Sequence, residues 1–303
     1  MKILVLICLI FTIRLSAIEK NMVVIVPSYN NFRYFKSNLD SILNQSYQNF
    51  RILYVNDCST DGTGERIEKY LQQNDIDYSS LSFENNTDES LLNLNVKFCE
   101  KLKSEKHFFT LVHNKKRAGA MANIYRAIHS LEDSDVVILI DGDDRLSHTD
   151  VITRLNTVYN SEKEIWMTHG TLIEYPSRST NWCEAIPDEI IKRNRFRKFK
   201  CPSHLKTFYS WLFKKIDIND LLYDGEFFQA TSDMAFMFPI CEMARERHEF
   251  IPEVNYVYNM SNNLNDNKIN PQMQNDLDFL IRNRLRYQPL RGSEIPEFMR
   301  RDK

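Results

Sequence analysis

The sequence predicts an α/β protein built on a doubly wound, mostly parallel sheet. Short apolar runs alternate with stretches of helical spacing through the first half of the chain. That alternation is typical of parallel strands joined by helices. Four of the apolar runs end in loops rich in polar side chains, and ligands bind at the carboxyl ends of strands in such sheets. The second half is less regular, which predicts a smaller and less regular half beside the sheet.

The elements of the first half follow from their apolar patterns. The first strand ends at a proline, and the second ends in a turn made of Asn, Asp, Ser and Gly. The polar stretch 74–90 is expected to be a surface excursion. Strands are predicted at residues 22–27, 50–55, 108–112 and 135–140, and helices at 38–45, 63–72 and 120–129.

The fourth strand leads directly into a cluster of carboxylates. Its apolar run is followed by Asp141, Gly142, Asp143 and Asp144. Like charges this close raise each other's pKa unless a cation lies between them. A divalent cation that prefers oxygen ligands suits such a cluster, and Gly142 lets the chain turn. The alternatives are a simple turn, a calcium site or a phosphate-transfer site.

The other loops carry groups that suit a nucleotide. Tyr29 can stack on a base or ribose, and Asp57 can accept a proton from a ribose or imide group. For both residues, the alternative is a loop residue that caps the next helix. Arg117 lies in a basic loop that opens a helix and can face an anion. The alternative there is a solvated basic turn.

Together, these loops resemble the nucleotide-sugar half of the GT-A glycosyltransferases of the large family-two group. The resemblance covers about residues 21–146, and the order and spacing of its motifs make it specific. The matching motifs are Pro27–Asn30, Ser41–Tyr47, Asn56–Thr63, Arg117–Asn123 and the Asp-x-Asp motif Asp141–Asp143.

The resemblance implies which residues bind the donor. Pro27 and Tyr29 line the base, Asp57 contacts uracil or its equivalent, and Arg117 lies near the nucleotide. The expected donor is a nucleotide sugar, with a UDP-sugar preferred. The sequence departs from the family pattern at Asn56, where Asp is common, so the preference for the donor base stays open.

The resemblance also implies a metal and a catalytic base. Asp143 is expected to ligate Mn²⁺ or Mg²⁺, and Asp141 to contact metal or ribose. Inverting members of the family use an acidic residue at the start of a helix in the second half. Asp233 fits that position, although Ser232 replaces the usual preceding acid. The alternative is that Asp233 only caps the helix.

These expectations define an enzyme, a metal-dependent inverting glycosyltransferase that transfers a hexose to an acceptor hydroxyl. The acceptor, whether glycan, lipid or protein, is not specified. The predicted domains are a signal peptide over 1–17, a nucleotide-sugar half over 18–146, an acceptor and catalytic-base half over 147–260, and a helical tail over 261–303. The alternative is a non-catalytic module that binds a sugar nucleotide or glycan; a nucleotidyltransferase is a further rival.

Composition and the N-terminus limit partners and location. A net charge of -2 argues against a general nucleic-acid binder. Lys2, the apolar run 3–13 and Ala17 match a signal peptide, which predicts a secretory or extracytoplasmic location. The alternative is an uncleaved anchor that leaves the enzyme on the cytoplasmic face and associated with a membrane. Six cysteines without a CxxC pair indicate neither a zinc site nor a disulfide framework.

Overall fold

A computed structural model describes residues 19–84, 91–264, 268 and 271–300. The predicted signal peptide over 1–17 therefore lies outside the described residues. Within the described part of the chain, no helix combines the length and the apolar character needed to cross a membrane.

Among the described residues, nine strands form one mixed sheet, in the order β3-β4-β2-β1-β5-β8-β7-β11-β6. The first five strands in that order pair in parallel, as predicted. The strands are β1 Met22–Ser28, β2 Phe50–Asn56, β3 Tyr78–Phe83, β4 Phe109–Asn114, β5 Val136–Leu139, β6 Arg145–Leu146, β7 Met167–Tyr175, β8 Lys206–Tyr209 and β11 His248–Asn259. A separate hairpin consists of β9 Leu222–Tyr223 and β10 Glu226–Phe227.

Helices cover both faces of the sheet. Every residue of β1 and β5 is buried, which agrees with the continuous apolar runs of their sequences. The helices are α1 Phe35–Leu43, α2 Thr63–Gln73, α3 Leu91–Lys103, α4 Ala120–His129, α5 Val151–Tyr159, α6 Asp188–Lys192, α7 Ser210–Phe213, α8 Ser232–Ala244 and α9 Pro271–Asn283. The predicted fold class, an α/β protein with a mostly parallel GT-A-type sheet, is confirmed by this architecture.

The polar stretch expected to be a surface excursion contains an edge strand instead. β3 pairs in parallel with β4, from Tyr78 opposite Phe109 to Phe83 opposite Asn114. Its residues are half-buried or exposed. An edge strand needs few apolar residues because one side stays in solvent, so its composition resembles that of a loop.

The second half adds strands of both directions to the same sheet: β8 and β6 run opposite to the first five strands, and β7 and β11 run with them. β8 runs antiparallel to β5 and places Lys206 opposite Leu139. The amino end of β8 therefore lies beside the carboxyl end of β5, just before Asp141. β8 leads directly into the short helix α7.

The helix α8 lies under the second half and carries Asp233 near its start. Its residues from Met234 to Ala244 are all buried. The buried Arg197 anchors this helix, because its guanidinium donates to both carboxylate oxygens of Glu242 over 2.7 and 2.9 Å. A two-point ion pair of this kind fixes orientation as well as position.

Candidate active site

One cavity of about 560 Å³ lies at the carboxyl edge of the parallel strands. It is lined by residues from the ends of β1, β2 and β5, from the loop before α4, and from the start of α8. All seven residues that the sequence predicted for the site line it, namely Pro27, Tyr29, Asp57, Arg117, Asp141, Asp143 and Asp233. The structure therefore brings together residues that lie up to two hundred positions apart.

Tyr29 and Arg117 form one wall of the cavity. The Arg117 guanidinium lies 4.0 Å from the centre of the Tyr29 ring, a cation–π contact. This contact joins the loop after β1 to the loop before α4. It presents a flat aromatic and cationic surface to whatever enters the cavity.

Asp57 holds the loop that contains Arg117. Its Oδ1 accepts hydrogen bonds from Nδ2 of Asn114 over 2.7 Å and from the backbone N–H of Ala118 over 2.9 Å. Its Oδ2 accepts from the backbone N–H of Gly119 over 2.8 Å. Asp57 is 3% exposed, so these bonds replace its water. The sequence did not predict this structural role, which Asp57 has whether or not it also contacts a nucleotide.

The Asp-x-Asp loop packs tightly against the loop after β1. A Cβ atom on Gly142 would lie 2.5 Å from Oγ of Ser28 and 2.6 Å from Nδ2 of Asn31. Glycine is required here because a side chain would not fit. The turn predicted from the sequence is a second reason for glycine. The close approach fixes the two flanking carboxylates relative to β1.

Asp143 lines the cavity and receives a hydrogen bond from a side chain of the second half. Nδ2 of Asn262 donates to Oδ2 of Asp143 over 2.7 Å. Burial raises the pKa of Asp143 above its usual value, and the Asn262 bond opposes that effect only in part. Asp141 is more open, with 47% of its side chain exposed, and its Oδ2 lies 4.0 Å from Nε2 of His204.

Asp144 faces away from this opening and has a structural role. Its two oxygens accept from the Tyr256 hydroxyl and from the backbone N–H of Asn259, each over 2.7 Å. Burial and then the charges of Asp143 and Asp141 raise the pKa of Asp144 well above its usual value. Of the three carboxylates, Asp141 and Asp143 therefore line the cavity, whereas Asp144 ties the loop to β11.

The carboxylates of the cavity fit a divalent cation that needs only one or two protein ligands. In the described ranges, no group of three or more His, Cys, Asp or Glu side chains is arranged to enclose a metal. Asp141 and Asp143 supply two carboxylates, and burial makes the negative charge of Asp143 costly without a cation. A Mg²⁺-type site with one or two carboxylates, waters and substrate phosphates needs no more protein ligands than these.

Asp233 forms an ion pair with a buried lysine. Nζ of Lys206 lies 2.6 Å from Oδ2 of Asp233. The Lys206 side chain is 2% exposed, whereas that of Asp233 is 43% exposed and faces the cavity. Asp233 is not the residue at the N-cap of α8, which is Thr231 in the left-handed region at φ 53°.

The ion pair determines the charge of both partners. Burial would raise the pKa of Asp233, but Lys206, with smaller contributions from His204 and the backbone N–H of Met234, holds the pKa below its usual value. Burial would lower the pKa of Lys206, but Asp233 outweighs it and raises that pKa. Both groups are therefore ionised at neutral pH.

Sequence reasoning missed two side chains that contact the predicted carboxylates. Lys206 and Asn262 gave no signal, because each depends on a strand or loop that the sequence did not predict. His204 and Trp182 line the cavity, and the indole N–H of Trp182 donates to Oε1 of Glu174 over 3.0 Å. If a strand had been predicted over 206–209, Lys206 would have been recognised as an ionisable residue in an apolar strand.

Comparisons with known proteins agree with this geometry. The family model of Glycosyl transferase family 2 matches residues 23–90. Glycosyltransferase GlyA of Streptococcus pneumoniae is 42% identical over 55 residues, which are 18% of this chain and 8% of GlyA. TuaG of Bacillus subtilis, named for teichuronic acid biosynthesis, is 43% identical over 47 residues, 16% of this chain and 19% of TuaG. The matched stretches thus span a small part of these relatives.

Solved structures show the same fold. The Staphylococcus aureus protein TarS aligns over 86% of this chain and 39% of its own, with a TM-score of 0.57 and 18% identity. TarS 1-349 in complex with UDP-GlcNAc aligns over 80% of this chain and 59% of its own, with a TM-score of 0.51 and 17% identity. At this identity, the likeness concerns the fold.

The comparisons confirm the predicted resemblance to family-two glycosyltransferases, with the family model matching residues 23–90. The predicted secretory or extracytoplasmic location is wrong, because the glycosyltransferases GlyA and TuaG give no support for a signal peptide. The physical reason is that a short apolar run after one lysine is a weak signal, which other N-terminal segments share.

Proposed function

We propose that the chain transfers a sugar from a nucleotide sugar to an acceptor hydroxyl. The observation that carries this proposal is the convergence of the seven predicted residues on one cavity, with Asp143 and Asp233 both lining it. A UDP-sugar is the first donor to test, because TarS, which shares the fold, has been crystallised with UDP-GlcNAc. A hexose is the expected sugar.

In this proposal, the wall formed by Tyr29 and Arg117 binds the nucleotide. The Tyr29 ring stacks on the base or ribose, with Pro27 beside it, and the Arg117 guanidinium faces the anionic part of the donor. Asp57 contributes by holding the Arg117 loop and by offering the remaining lone pair of its Oδ2 to an imide or ribose proton. The described contacts of Asp57 support the first of these two roles directly.

Asp143 and Asp141 would hold Mn²⁺ or Mg²⁺ together with the diphosphate of the donor. When bound, such a cation neutralises the charge that builds on a leaving diphosphate. The protein contributes the two carboxylates and the Asn262 amide, which keeps Asp143 in place. Metal dependence is therefore part of the proposal.

Asp233 is the proposed general base. Its ionised carboxylate takes the proton from the acceptor hydroxyl as that oxygen attacks the anomeric carbon. The bond from this carbon to the diphosphate oxygen breaks, and the electron pair leaves with the diphosphate. Attack from the face opposite the leaving group inverts the anomeric configuration.

The halves of the chain divide this work. We assign the donor to residues 18–146, the acceptor and base to residues 147–260, and residues 261–303 to a C-terminal tail that contains the helix α9. Trp182, Cys201 and Tyr258 belong to the second half and line the cavity near Asp233. The acceptor would enter from this side.

The alternative is a module that binds a sugar nucleotide without turnover. The ion pair between Lys206 and Asp233 is the observation that favours it, because a lowered pKa makes a carboxylate a weaker base. Incubation with a panel of nucleotide sugars, with Mn²⁺ or with a chelator, separates the two. Metal-dependent release of a nucleoside diphosphate from one donor supports transfer, and tight binding without release supports the module.

A parallel incubation with nucleoside triphosphates and sugar phosphates tests the nucleotidyltransferase rival. Pyrophosphate release from a nucleoside triphosphate and a sugar phosphate would overturn the proposal in favour of that activity. Absence of both binding and release with every nucleotide sugar would overturn the glycosyltransferase proposal as well.

A further inference from the structure

Lys206 is a charged side chain of the cavity to which the proposed reaction gives no role. It is buried at the amino end of β8, beside the carboxyl end of β5. Its Nζ lies 2.6 Å from Oδ2 of Asp233 and 3.2 Å from Nε2 of His204. Because a lysine ammonium only donates, Nε2 of His204 accepts, and the ammonium lies between these two side chains.

We propose that Lys206 is a positioning residue for Asp233: it holds the carboxylate through Oδ2 and supplies the counter-charge that orients it toward the acceptor. This inference rests on the proposed function, because it deepens the role of the proposed base. Oδ1 of Asp233 accepts from the backbone N–H of Met234 over 2.9 Å. With both oxygens held, the remaining lone pairs have a fixed direction.

Four titratable side chains face Asp233 from the neighbouring elements. They are Lys206, His204 and Cys201 from β8 and the segment before it, and Tyr258 from β11. Burial lowers the pKa of His204 well below its usual value and raises those of Cys201 and Tyr258, so these three groups are neutral at pH 7. Of the four, Lys206 therefore has the largest effect on the pKa of Asp233.

The sign of the pH dependence follows from this arrangement. A cation next to a carboxylate favours the charged form and lowers its pKa. Without Lys206, the two largest effects that oppose burial are lost, so the pKa of Asp233 rises. The base would then stay protonated to a higher pH, and the acid limb of kcat/KM would move to higher pH.

The test compares Lys206→Met with Lys206→Arg in the donor-turnover assay across pH. Lys206→Met should lower kcat about 100-fold at neutral pH, the size expected for a displaced catalytic group. Its acid limb should move to higher pH, whereas Lys206→Arg, which keeps the charge, should retain the wild-type limb. Lys214→Met is the matched control, because Lys214 pairs with Asp133 over 2.7 Å and does not line the cavity.

A second measurement does not depend on turnover. In protein with ¹³C-labelled aspartate, the carboxyl signal of Asp233 is assigned by its loss in Asp233→Asn. In the wild type it should titrate below the ordinary range of aspartate, and in Lys206→Met at higher pH. Thermal unfolding and UDP binding by the same samples show that each variant is folded.

The outcomes separate the two claims. If the wild type is active and Lys206→Met keeps its kcat and acid limb, the positioning role is overturned and the proposed function stands. If activity falls equally in Lys206→Met and Lys206→Arg with the limb unchanged, Lys206 is merely structural. If no donor is turned over, the proposed function fails, while equal titration of Asp233 in both proteins would independently overturn the role of Lys206.

Discussion

The hydroxyl of Tyr256 donates a hydrogen bond to Oδ2 of Asp144 over 2.7 Å and accepts one from the backbone N–H of Asp141 over 3.1 Å. Tyr256 lies in β11, more than one hundred positions after the acidic loop. A single phenol thus ties the first and last residues of that loop to the second half of the sheet. It explains how the third carboxylate of the cluster is accommodated without facing the cavity.

Asp144→Ala should reduce stability much more than Asp143→Ala. Removing Asp144 leaves the buried Tyr256 hydroxyl and Asn259 N–H without an acceptor, which costs about 2 kcal/mol or more in the free energy of unfolding. Asp143 lies on the cavity, where water can replace its contact with Asn262. Urea unfolding of both variants measures the difference, and equal losses would contradict the assigned roles.

For metal-dependent transfer, the substitution at Asp143 should have a larger effect than the substitution at Asp144. Asp143→Ala should abolish metal-dependent transfer, because the proposed site loses its principal ligand. Tyr256→Phe is the matched control for the structural role: it removes the bond to Asp144 and the acceptor of the Asp141 N–H, and it should cost about 2 kcal/mol of stability. A retained Mn²⁺ dependence in Asp143→Ala would show that the metal is held elsewhere.

Tyr29→Ala should weaken nucleotide binding about tenfold or more. Stacking of a base on an aromatic ring contributes about 1–3 kcal/mol, and about 1.4 kcal/mol is a factor of ten in Kd. Titration calorimetry with UDP measures the change. The control Tyr29→Phe keeps the ring over which Arg117 lies and should bind UDP like the wild type. Equal Kd values for Tyr29→Ala and the wild type would show that Tyr29 is not part of the donor site.

Asp233→Asn should remove turnover while nucleotide binding survives. The amide has the shape of the carboxylate and can still accept from Lys206, but it cannot take a proton from an acceptor. Loss of a general base lowers kcat by about 10²- to 10⁴-fold. Near-normal transfer by this variant, with UDP affinity unchanged, would show that another group is the base.

The first half of the sheet was predictable because its information is local. The strands β1, β2, β4 and β5 are apolar runs covered on both faces, and each ends in a loop of distinctive composition. The helix Ala120–His129 has the predicted bounds. Parallel order then places the loop ends along one edge, so the convergence of Tyr29, Asp57 and Asp141 follows from the pattern.

The second half was less predictable because its contacts join distant residues. Lys206 reaches the site through the antiparallel pairing of β8 with β5, which no local pattern encodes. Tyr256 reaches Asp144 through β11, which pairs with β6 and β7. The counter-charge of Asp233 and the anchor of Asp144 both depend on these pairings, and both were therefore missed.

Real-time ¹H NMR of donor turnover tests the central claim most directly, because one spectrum reports both cleavage and stereochemistry. The wild-type protein is mixed with Mn²⁺ and an α-linked UDP-sugar, with water or an added sugar as the acceptor. We predict that the donor signal falls and that the β-configured product appears first. A donor signal that persists across the panel, or an α-configured first product, would contradict an inverting glycosyltransferase.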